Sequence, residues 1–388
     1  MRVFTHIYVH SMKLHLKVSL ALSVFTLLGS TAAEAEAALL IGNTRSDSIV
    51  IFDEISGTIL GDFTTPGANG LRDPDAITIG PDGAVYVSVG GNSGLNLFDP
   101  AYPQDSAVLR FNLQGEFLGV AASGNGLTRP YGNAFGPDGN LYVSSFRTNQ
   151  ILRFDSKTGA FIDIFASDNN GGFGSTNGLN GPNGLLFGPD GSLYVTTQGS
   201  ANDANGNLVF PFASQVLRYT PEQVLGVVST TTPTVFIDQP TPLPGSGFVS
   251  LLGLALAPDL HSLYVSDFAN GIRQYDLAGQ LLSVLSTNYT GTIPSNNFIG
   301  SLAFGADTSN LFAVGFDFTN NNLGSVLTFP GAEGDDVQFT GSLFTSSQLV
   351  RPIGVAAVPV AAVPEPTTIA GVAIALGGFA VSRRRKRQ

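Results

Sequence analysis

The sequence predicts an all-β fold, a six-bladed β-propeller made of four-stranded antiparallel blades. Residues 129–165 contain four short runs with alternating apolar residues, and three turns separate them. The first strand and first turn of this unit recur along the whole chain. The strands that the last copy lacks are found at the beginning of the chain. Self-similarity at this period is typical of repeat folds whose units cannot bury their apolar faces alone.

Within the repeat unit, residues 131–135 form the first predicted strand and residues 141–146 the second. Residues 151–154 and 161–165 form the third and fourth. The turn between the first two strands reads Gly-Pro-Asp-Gly at residues 136–139. Proline presets φ for such a turn and glycine accepts a positive φ, so this sequence indicates a tight connection. We expect the equivalent aspartates, Asp82, Asp138 and Asp190, to be turn residues rather than ligands.

A proline or alanine at one position of the first turn aligns the copies of the repeat with one another. It occurs at Pro81, Pro137, Pro189, Pro258, Ala306 and Pro359. The sixth copy stops after its first strand, whereas residues 39–42, 48–52 and 59–63 match the other three strands without a first. We therefore predict that the N-terminal strands complete the last blade, which closes the ring and leaves no long free edge.

One position of the first strand is small in every copy. It is occupied by Ala76, Gly132, Gly184, Gly253, Ser301 and Gly354. First strands crowd around the axis of a propeller, where little room remains for a side chain. We expect these residues to be packing requirements.

The repeat resembles NHL-type propellers and their lactonase (regucalcin-like) relatives. The likeness lies in the runs P-x-G-x-x-x-x-P-D-G-x-L-Y-V that end at Val143 and Val195, and in V/I-L-R-F/Y at Val108, Ile151 and Val216. It covers nearly the whole mature chain and is specific for the fold. It is weak for activity, because propellers host lyases, hydrolases and binding scaffolds alike.

The N-terminus has the pattern of a secretory signal peptide. Lys13 and Lys17 precede an apolar run at 18–28, and small residues with A-x-A cleavage sites follow at 33–37. We assign residues 1–37 to the signal, 38–359 to the propeller and 360–388 to a linker and a C-terminal tail.

The tail contains Pro364, Glu365 and Pro366, an uncharged stretch at 367–382, and a basic cluster that begins with Arg383, Arg384 and Arg385. A helix over the uncharged stretch would be roughly 24 Å long, which is short for a bilayer core but workable if the basic side chains snorkel. The order of these features resembles a PEP-CTERM sorting signal, the substrate mark of exosortases in Gram-negative bacteria that make extracellular polysaccharide. The resemblance implies a membrane-protease partner, a transmembrane helix over 367–382 before processing, and sorting to the cell surface, outer membrane or extracellular space. A permanent membrane anchor is the alternative.

The composition is consistent with export and excludes several kinds of catalytic and metal site. The chain contains no cysteine, which excludes disulfides and thiolate ligands, and its net charge of −11 disfavours nucleic acid and anionic membranes. His6, His10 and His15 lie in or before the signal, so His261 alone remains in the domain, at a turn. This leaves no basis for a Ser-His-Asp triad or a histidine zinc site. We expect a monomer without a nucleic-acid partner.

The lactonase resemblance implies a divalent cation, often calcium, held in the central channel by the residue before the small position. The matching residues are Asp75, Tyr131, Asn183, Leu252, Gly300 and Ile353. Only Asp75 and Asn183 offer oxygen ligands, and Asn133 is a nearby third. Calcium takes six or more oxygens, so this set makes a poor metal site, and local hydrogen bonding by Asp75 and Asn183 is the preferred interpretation.

Two insertions, at 91–106 and 199–213, follow the second strands of two blades. We expect them to project from one face, where Phe98, Tyr102, Phe210 and Phe212 would supply an apolar or sugar-stacking surface. The Asp/Asn-rich run at 202–207 resembles a calcium loop but lacks its closing glutamate. We expect a flexible surface loop there.

Two functions follow from the sequence. The first is an exported, non-enzymatic binding or structural module that needs no cofactor and contacts extracellular polysaccharide or another surface protein. The alternative is a calcium-dependent lactonase-like or lyase-like enzyme that uses the central channel.

Overall fold

The computed structural model describes residues 37–90, 106–167, 178–228, 231–242, 247–306, 308–332 and 341–358. Within these residues, six four-stranded antiparallel sheets form a six-bladed β-propeller, which confirms the predicted fold class. We number the blades 1 to 6 along the chain.

Each blade runs from an inner strand at the axis to an outer strand at the rim. Blade 1 consists of Pro352–Val358, Ala38–Asn43, Ser48–Asp53 and Thr58–Asp62; blade 2 of Pro74–Ile79, Val85–Val89, Ala107–Phe111 and Phe117–Ser123. Blade 3 consists of Pro130–Phe135, Leu141–Ser145, Gln150–Phe154 and Phe161–Ser167; blade 4 of Pro182–Phe187, Leu193–Thr197, Val216–Tyr219 and Thr234–Ile237. Blade 5 consists of Leu251–Leu256, Ser262–Asp267, Gly271–Asp276 and Leu281–Leu285; blade 6 of Asn297–Phe304, Leu311–Asp317, Leu323–Phe329 and Ser342–Val350.

Short elements connect these strands. They are a hairpin of Ala201–Asn202 with Leu208–Val209, an α-helical turn at Pro221–Val224, and 3-10 turns at Ala68–Gly70, Phe146–Thr148 and Pro330–Ala332. No helix in the described part of the chain is long and apolar enough to cross a membrane. The predicted signal peptide, except residue 37, and the whole predicted tail lie outside the described residues.

Among the described residues, six apolar clusters form the core, one between each pair of neighbouring blades. The second strand of blade 3 illustrates how one strand contributes to two of these clusters. Leu141 and Val143 pack toward blade 2, whereas Tyr142 packs toward blade 4. Since successive side chains of a strand point to opposite faces, each middle strand contributes to two interfaces and is apolar on both sides.

The ring closes through both ends of the described propeller, as predicted. Pro352–Val358 pairs antiparallel with Ala38–Asn43, and Leu40 lies opposite Ala356. The inner strand of blade 1 therefore comes from the C-terminal end of the propeller sequence and the other three strands come from its N-terminal end. No inner edge is left unpaired in this blade.

The aspartates of the Pro-Asp-Gly turns are turn residues, which agrees with the sequence interpretation. The Asp138 carboxylate accepts hydrogen bonds from the Asn140 N–H at 3.2 Å and the Tyr142 hydroxyl at 3.0 Å. Arg153 adds a contact to the same carboxylate at 3.4 Å. Asp82 and Asp190 make equivalent bonds in blades 2 and 4.

The small inner-strand residues allow neighbouring inner strands to approach each other closely. A Cβ atom added to Gly253 would lie 2.8 Å from the Ser301 Cα. One added to Gly132 would overlap the Asn183 carbonyl oxygen. Backbone atoms cannot move aside as a flexible side chain can, so these glycines are packing requirements.

We expect Gly132→Leu to destabilise the propeller by about 1–3 kcal/mol or more, because the new side chain must displace the backbone of blade 4. The midpoint of urea unfolding measures this loss. Gly139→Ala is the matched control: Gly139 has a φ of 78° but open space around it, so its variant reports backbone strain alone. A Gly132→Leu protein no less stable than Gly139→Ala would contradict the packing explanation.

Candidate ligand-binding site at the propeller axis

A cavity of about 520 Å³ lies where the inner strands begin, and blades 1 to 5 contribute to its wall. Five of the six channel positions derived from the repeat line it: Asp75, Tyr131, Asn183, Leu252 and Ile353. The sixth, Gly300, instead packs closely against the backbone of the next inner strand. We call this space the axial cavity.

An ion pair is buried on one side of the axial cavity. Arg129 Nη1 lies 2.6 Å from Asp73 Oδ2, and the two side chains are 8% and 2% exposed. The Arg129 guanidinium also lies 5.1 Å from the centre of the Tyr131 ring. Burial raises the pKa of Asp73, and the positive charge of Arg129 opposes this effect. Arg129 therefore has a carboxylate and an aromatic partner within the protein.

Asp75 lies beside this pair and is 7% exposed. Burial raises the pKa of its carboxyl to about 8; Arg129 and Arg351 oppose this shift and Asp73 adds to it. At neutral pH the Asp75 carboxyl therefore retains its proton.

A second arginine, Arg351, lines the axial cavity from blade 1. Among the described residues, no carboxylate lies within ion-pair distance of its guanidinium, which stands 5.7 Å from the centre of the Phe316 ring. Burial lowers the pKa of Arg351, and the nearby Tyr131 and Asp73 oppose this effect.

Four residues that directly precede inner strands share an unusual backbone conformation. Asp73, Arg129, Gly181 and Arg351 each precede the first proline of an inner strand and have φ values of 48°, 58°, 67° and 52°. A left-handed conformation costs an L-residue roughly 1–2 kcal/mol, and such outliers cluster at functional sites. Arg129 and Arg351 were not among the predicted site residues. Their shared place before Pro-x-Gly in two copies of the repeat is the signal that could have found them.

Apolar side chains line a second part of the axial cavity. Blades 3, 4 and 5 and the insertion of blade 4 supply Phe146, Leu208, Phe210, Phe212, Phe248 and Phe268. We call these residues the apolar wall. Phe210 and Phe212 therefore lie where a ligand could reach them, whereas Phe98 and Tyr102 lie outside the described residues. The wall of the cavity thus combines charged and apolar side chains.

The insertion at 199–213 is tied to blade 3, which differs from the flexible loop expected. It forms a two-stranded hairpin, and Asn202 Nδ2 donates to the Arg147 carbonyl oxygen at 2.9 Å. Arg147 Nη2 donates in return to the Gly206 carbonyl oxygen at 2.8 Å. Asp203 Oδ1 accepts the N–H groups of Asn205 and Asn207, each at 2.8 Å. The Asp/Asn-rich run thus stabilises its own turn.

The oxygen atoms predicted for a calcium site do not converge. Asn133 is absent from the cavity wall, and its Nδ2 donates to Ser88 Oγ of blade 2 at 2.9 Å. Asp75 and Asn183 remain, with two arginines beside them. Within the described ranges, no group of three or more His, Cys, Asp or Glu residues is placed to hold a metal ion. This donor set does not fit calcium, which needs six or more oxygens.

His261 also lies away from the axial cavity. It is exposed in the turn after the inner strand of blade 5, where its N–H donates to Asp259 Oδ1 at 2.9 Å. It is not among the residues of the cavity wall. The geometry therefore provides no base for a nucleophilic triad there.

Comparisons with known proteins support the fold. No family model matches the sequence, and no curated protein is significantly similar in sequence. A chain of the nidogen/laminin complex is 14% identical, with 83% of this chain and 98% of the other covered and a TM-score of 0.54.

Two further solved structures are similar over most of their length. A periplasmic gluconolactonase from Pseudomonas aeruginosa is 15% identical, with 84% of this chain and 99% of the other covered and a TM-score of 0.49. A protein of unknown function from Bacteroides caccae is 12% identical, with 84% and 99% covered and a TM-score of 0.48. At these identities the comparisons concern the fold alone.

Proposed function

We propose that this protein is an exported, non-enzymatic binding module that takes a small ligand into the axial cavity. The observation that carries the proposal is a cavity wall that combines charged side chains with apolar ones. Its volume of about 520 Å³ lies in the range of small-molecule sites, which combine an apolar wall with a few placed polar groups. Extracellular polysaccharide or another surface protein would bind on the side of the propeller where the axial cavity lies.

The cavity wall favours binding over catalysis. It contains no histidine, and the chain has no cysteine. Its oxygen donors do not fit a calcium site, as described above. The lining residues offer neither a fitting set of metal ligands nor a nucleophile paired with a histidine base, so they do not supply the usual routes to hydrolysis.

We expect the purified mature domain to carry no stoichiometric divalent ion and to keep its melting temperature in millimolar calcium. An ion at 100 times its Kd would add about 2.7 kcal/mol of stability, which a thermal melt resolves easily. Elemental analysis and melts with and without EDTA measure both quantities. One calcium per chain, together with a calcium-dependent rise in melting temperature, would instead favour the enzyme.

A lactonase-like or lyase-like enzyme is the second candidate, and one observation favours it. Asp75 is a buried carboxyl whose pKa of about 8 suits general acid-base chemistry near neutral pH. The resemblance to NHL-type and lactonase-like propellers points the same way. Hydrolysis of sugar lactones by the wild-type protein, lost in Asp75→Asn, would support this candidate over the binding module.

We further propose that the tail directs the protein to the cell surface. Pro364 and Pro366 would favour an extended backbone around Glu365, which a membrane protease of the exosortase type could bind. The basic cluster from Arg383 would hold the other end at the cytoplasmic side.

Processing of this tail is directly measurable. Mass spectrometry of the surface or secreted fraction from the native host should find no peptide C-terminal to the Pro366 region. Peptides from the propeller, such as those spanning 351–358, provide the internal control for recovery. An intact 383–388 segment in the same fraction would show that the tail is a permanent anchor.

A further inference from the structure

We propose that the axial cavity binds a small organic carboxylate, with the carboxylate on the Arg351 guanidinium and an apolar body against the apolar wall. This inference rests on the proposed function, because it takes the axial cavity as the binding site. It adds the chemical class of the ligand and the residue that recognises its charge.

The two cavity arginines differ in what they already contact. Both precede the first proline of an inner strand, but only Arg129 has a carboxylate, Asp73, at 2.6 Å. Arg351 has no ion-pair partner in the described ranges and is partly buried. A guanidinium that is partly desolvated without an anion is energetically unfavourable, and a carboxylate ligand would remove that penalty. Arg351 is therefore the cation open to an incoming anion.

The backbone holds Arg351 in place before any ligand arrives. Its N–H donates to the Asn322 carbonyl oxygen at 2.9 Å. Its carbonyl oxygen accepts from the Thr44 N–H at 3.2 Å and from Thr44 Oγ1 at 2.9 Å. These bonds maintain the left-handed φ of 52°. The backbone of Arg351 therefore does not have to rearrange when a ligand binds.

An aromatic array connects Arg351 to the apolar wall. Phe316 lies 5.7 Å from the Arg351 guanidinium and 6.1 Å from the ring of Phe268. Phe268 lines the cavity and stacks on Phe298 at 4.3 Å. A ligand with its carboxylate at Arg351 would therefore place its body near the Phe268 ring.

The local charge favours an anion. Asp73 already balances Arg129, and burial keeps the Asp75 carboxyl protonated at neutral pH. Arg351 is then the uncompensated charge among these four groups, and Arg45 lies near enough to add to the positive potential at Arg351. The protein as a whole carries a net charge of −11, so an anion is attracted only where such a local cation exists. The planar guanidinium also matches the two oxygens of a carboxylate.

Phenylacetate is the probe that tests this inference, by isothermal titration calorimetry on the mature domain. Phenylacetamide has the same body without the charge, and acetate has the charge without the body. We expect phenylacetate to bind at least about tenfold more tightly than either, since a charge-assisted hydrogen bond and an apolar contact each contribute at this scale. Arg351→Gln should weaken phenylacetate binding by about tenfold or more and leave phenylacetamide unchanged.

Two control variants complete the experiment. Arg218→Gln removes one positive charge at the Asp190 turn, outside the cavity wall, and should leave phenylacetate binding unchanged. Leu252→Phe places a larger side chain in the wall of the axial cavity and should weaken binding of ligands that contact this part of the wall. Circular dichroism shows whether each variant is folded, and the comparison of phenylacetate with phenylacetamide on wild type needs no variant at all.

The outcomes separate the ligand class from the binding site. Equal binding of phenylacetate and phenylacetamide, sensitive to Leu252→Phe but not to Arg351→Gln, would overturn the carboxylate inference and keep the cavity as a binding site. The inference would also be overturned if none of the three probes bound at about 10 mM, a concentration at which even a weak millimolar complex would form. In that case, failure of Leu252→Phe to affect a broad metabolite and glycan screen would also overturn the proposed site.

Discussion

Deleting residues 351–358 is expected to unfold most of the propeller at 25 °C. The deletion removes the inner strand of blade 1, so Ala38–Asn43 loses its partner and the ring opens at the axis. Val355 and Val358 are 5% and 2% exposed and belong to two different interblade clusters. Their loss therefore uncovers the core on both faces of blade 1.

The size of this effect follows from the area that is exposed. Each buried valine contributes about 1.5–3 kcal/mol, and the lost strand also leaves the inner edge of its neighbour without hydrogen bonds. A total near 5 kcal/mol is comparable to the whole stability of a typical domain, about 5–15 kcal/mol. Far-UV circular dichroism and thermal melts would show the loss.

The control for this deletion is removal of residues 367–388, which lie beyond the last described strand. We expect that shortened protein to melt at the same temperature as the full-length domain. If the two deletions gave equal melting temperatures, closure by the last strand would contribute nothing to stability.

Asp75→Asn is expected to stabilise the protein at neutral pH, by up to about 4 kcal/mol at pH 7. In the unfolded protein, the Asp75 carboxyl has its ordinary pKa of 3.8 and loses its proton above this pH. In the folded protein, it keeps its proton until about pH 8. The unfolded state is therefore increasingly favoured between about pH 4 and 8, at up to about 1.4 kcal/mol per pH unit. Asparagine has no proton to lose and avoids this cost.

The measurement is the urea midpoint of both proteins at several pH values. The advantage of Asp75→Asn should be near zero at pH 4, grow with pH, and level off above about pH 8. A constant difference across this range would show that the folded pKa is not raised.

Asp53→Asn provides a control of opposite sign. Burial alone would raise the pKa of Asp53, but hydrogen bonds from Ser56 and Ile55 outweigh it and lower the pKa. The Asp53 Oδ1 atom accepts the Ile55 N–H at 2.8 Å and the Ser56 N–H at 3.0 Å. Asp53→Asn should therefore lose stability at pH 7, and the loss should shrink as the pH falls below the ordinary pKa of 3.8.

Much of the candidate site could be predicted from the sequence repeat. Alignment of the copies placed Asp75 and Asn183 at one repeat position, and both line the axial cavity. Asn133 could not be assigned in this way. It lies two residues beyond the Tyr131 position, and an irregularity in the strand pairing before it accompanies its contact with Ser88. Such an irregularity changes the direction of a side chain without leaving a reliable mark in the sequence.

The sequence by itself determined the number of blades, the turns between their strands and the closure of the ring. These features depend on local patterns, namely alternating apolar residues, Pro-Asp-Gly turns and the count of strands at each end. Only the tertiary structure decided which of two equivalent arginines is paired. Asp73 and Arg129 are 56 residues apart, and Arg351 meets Phe316 of a neighbouring blade. Such pairing depends on burial and on side chains that converge from separate blades, and one strand's sequence specifies neither.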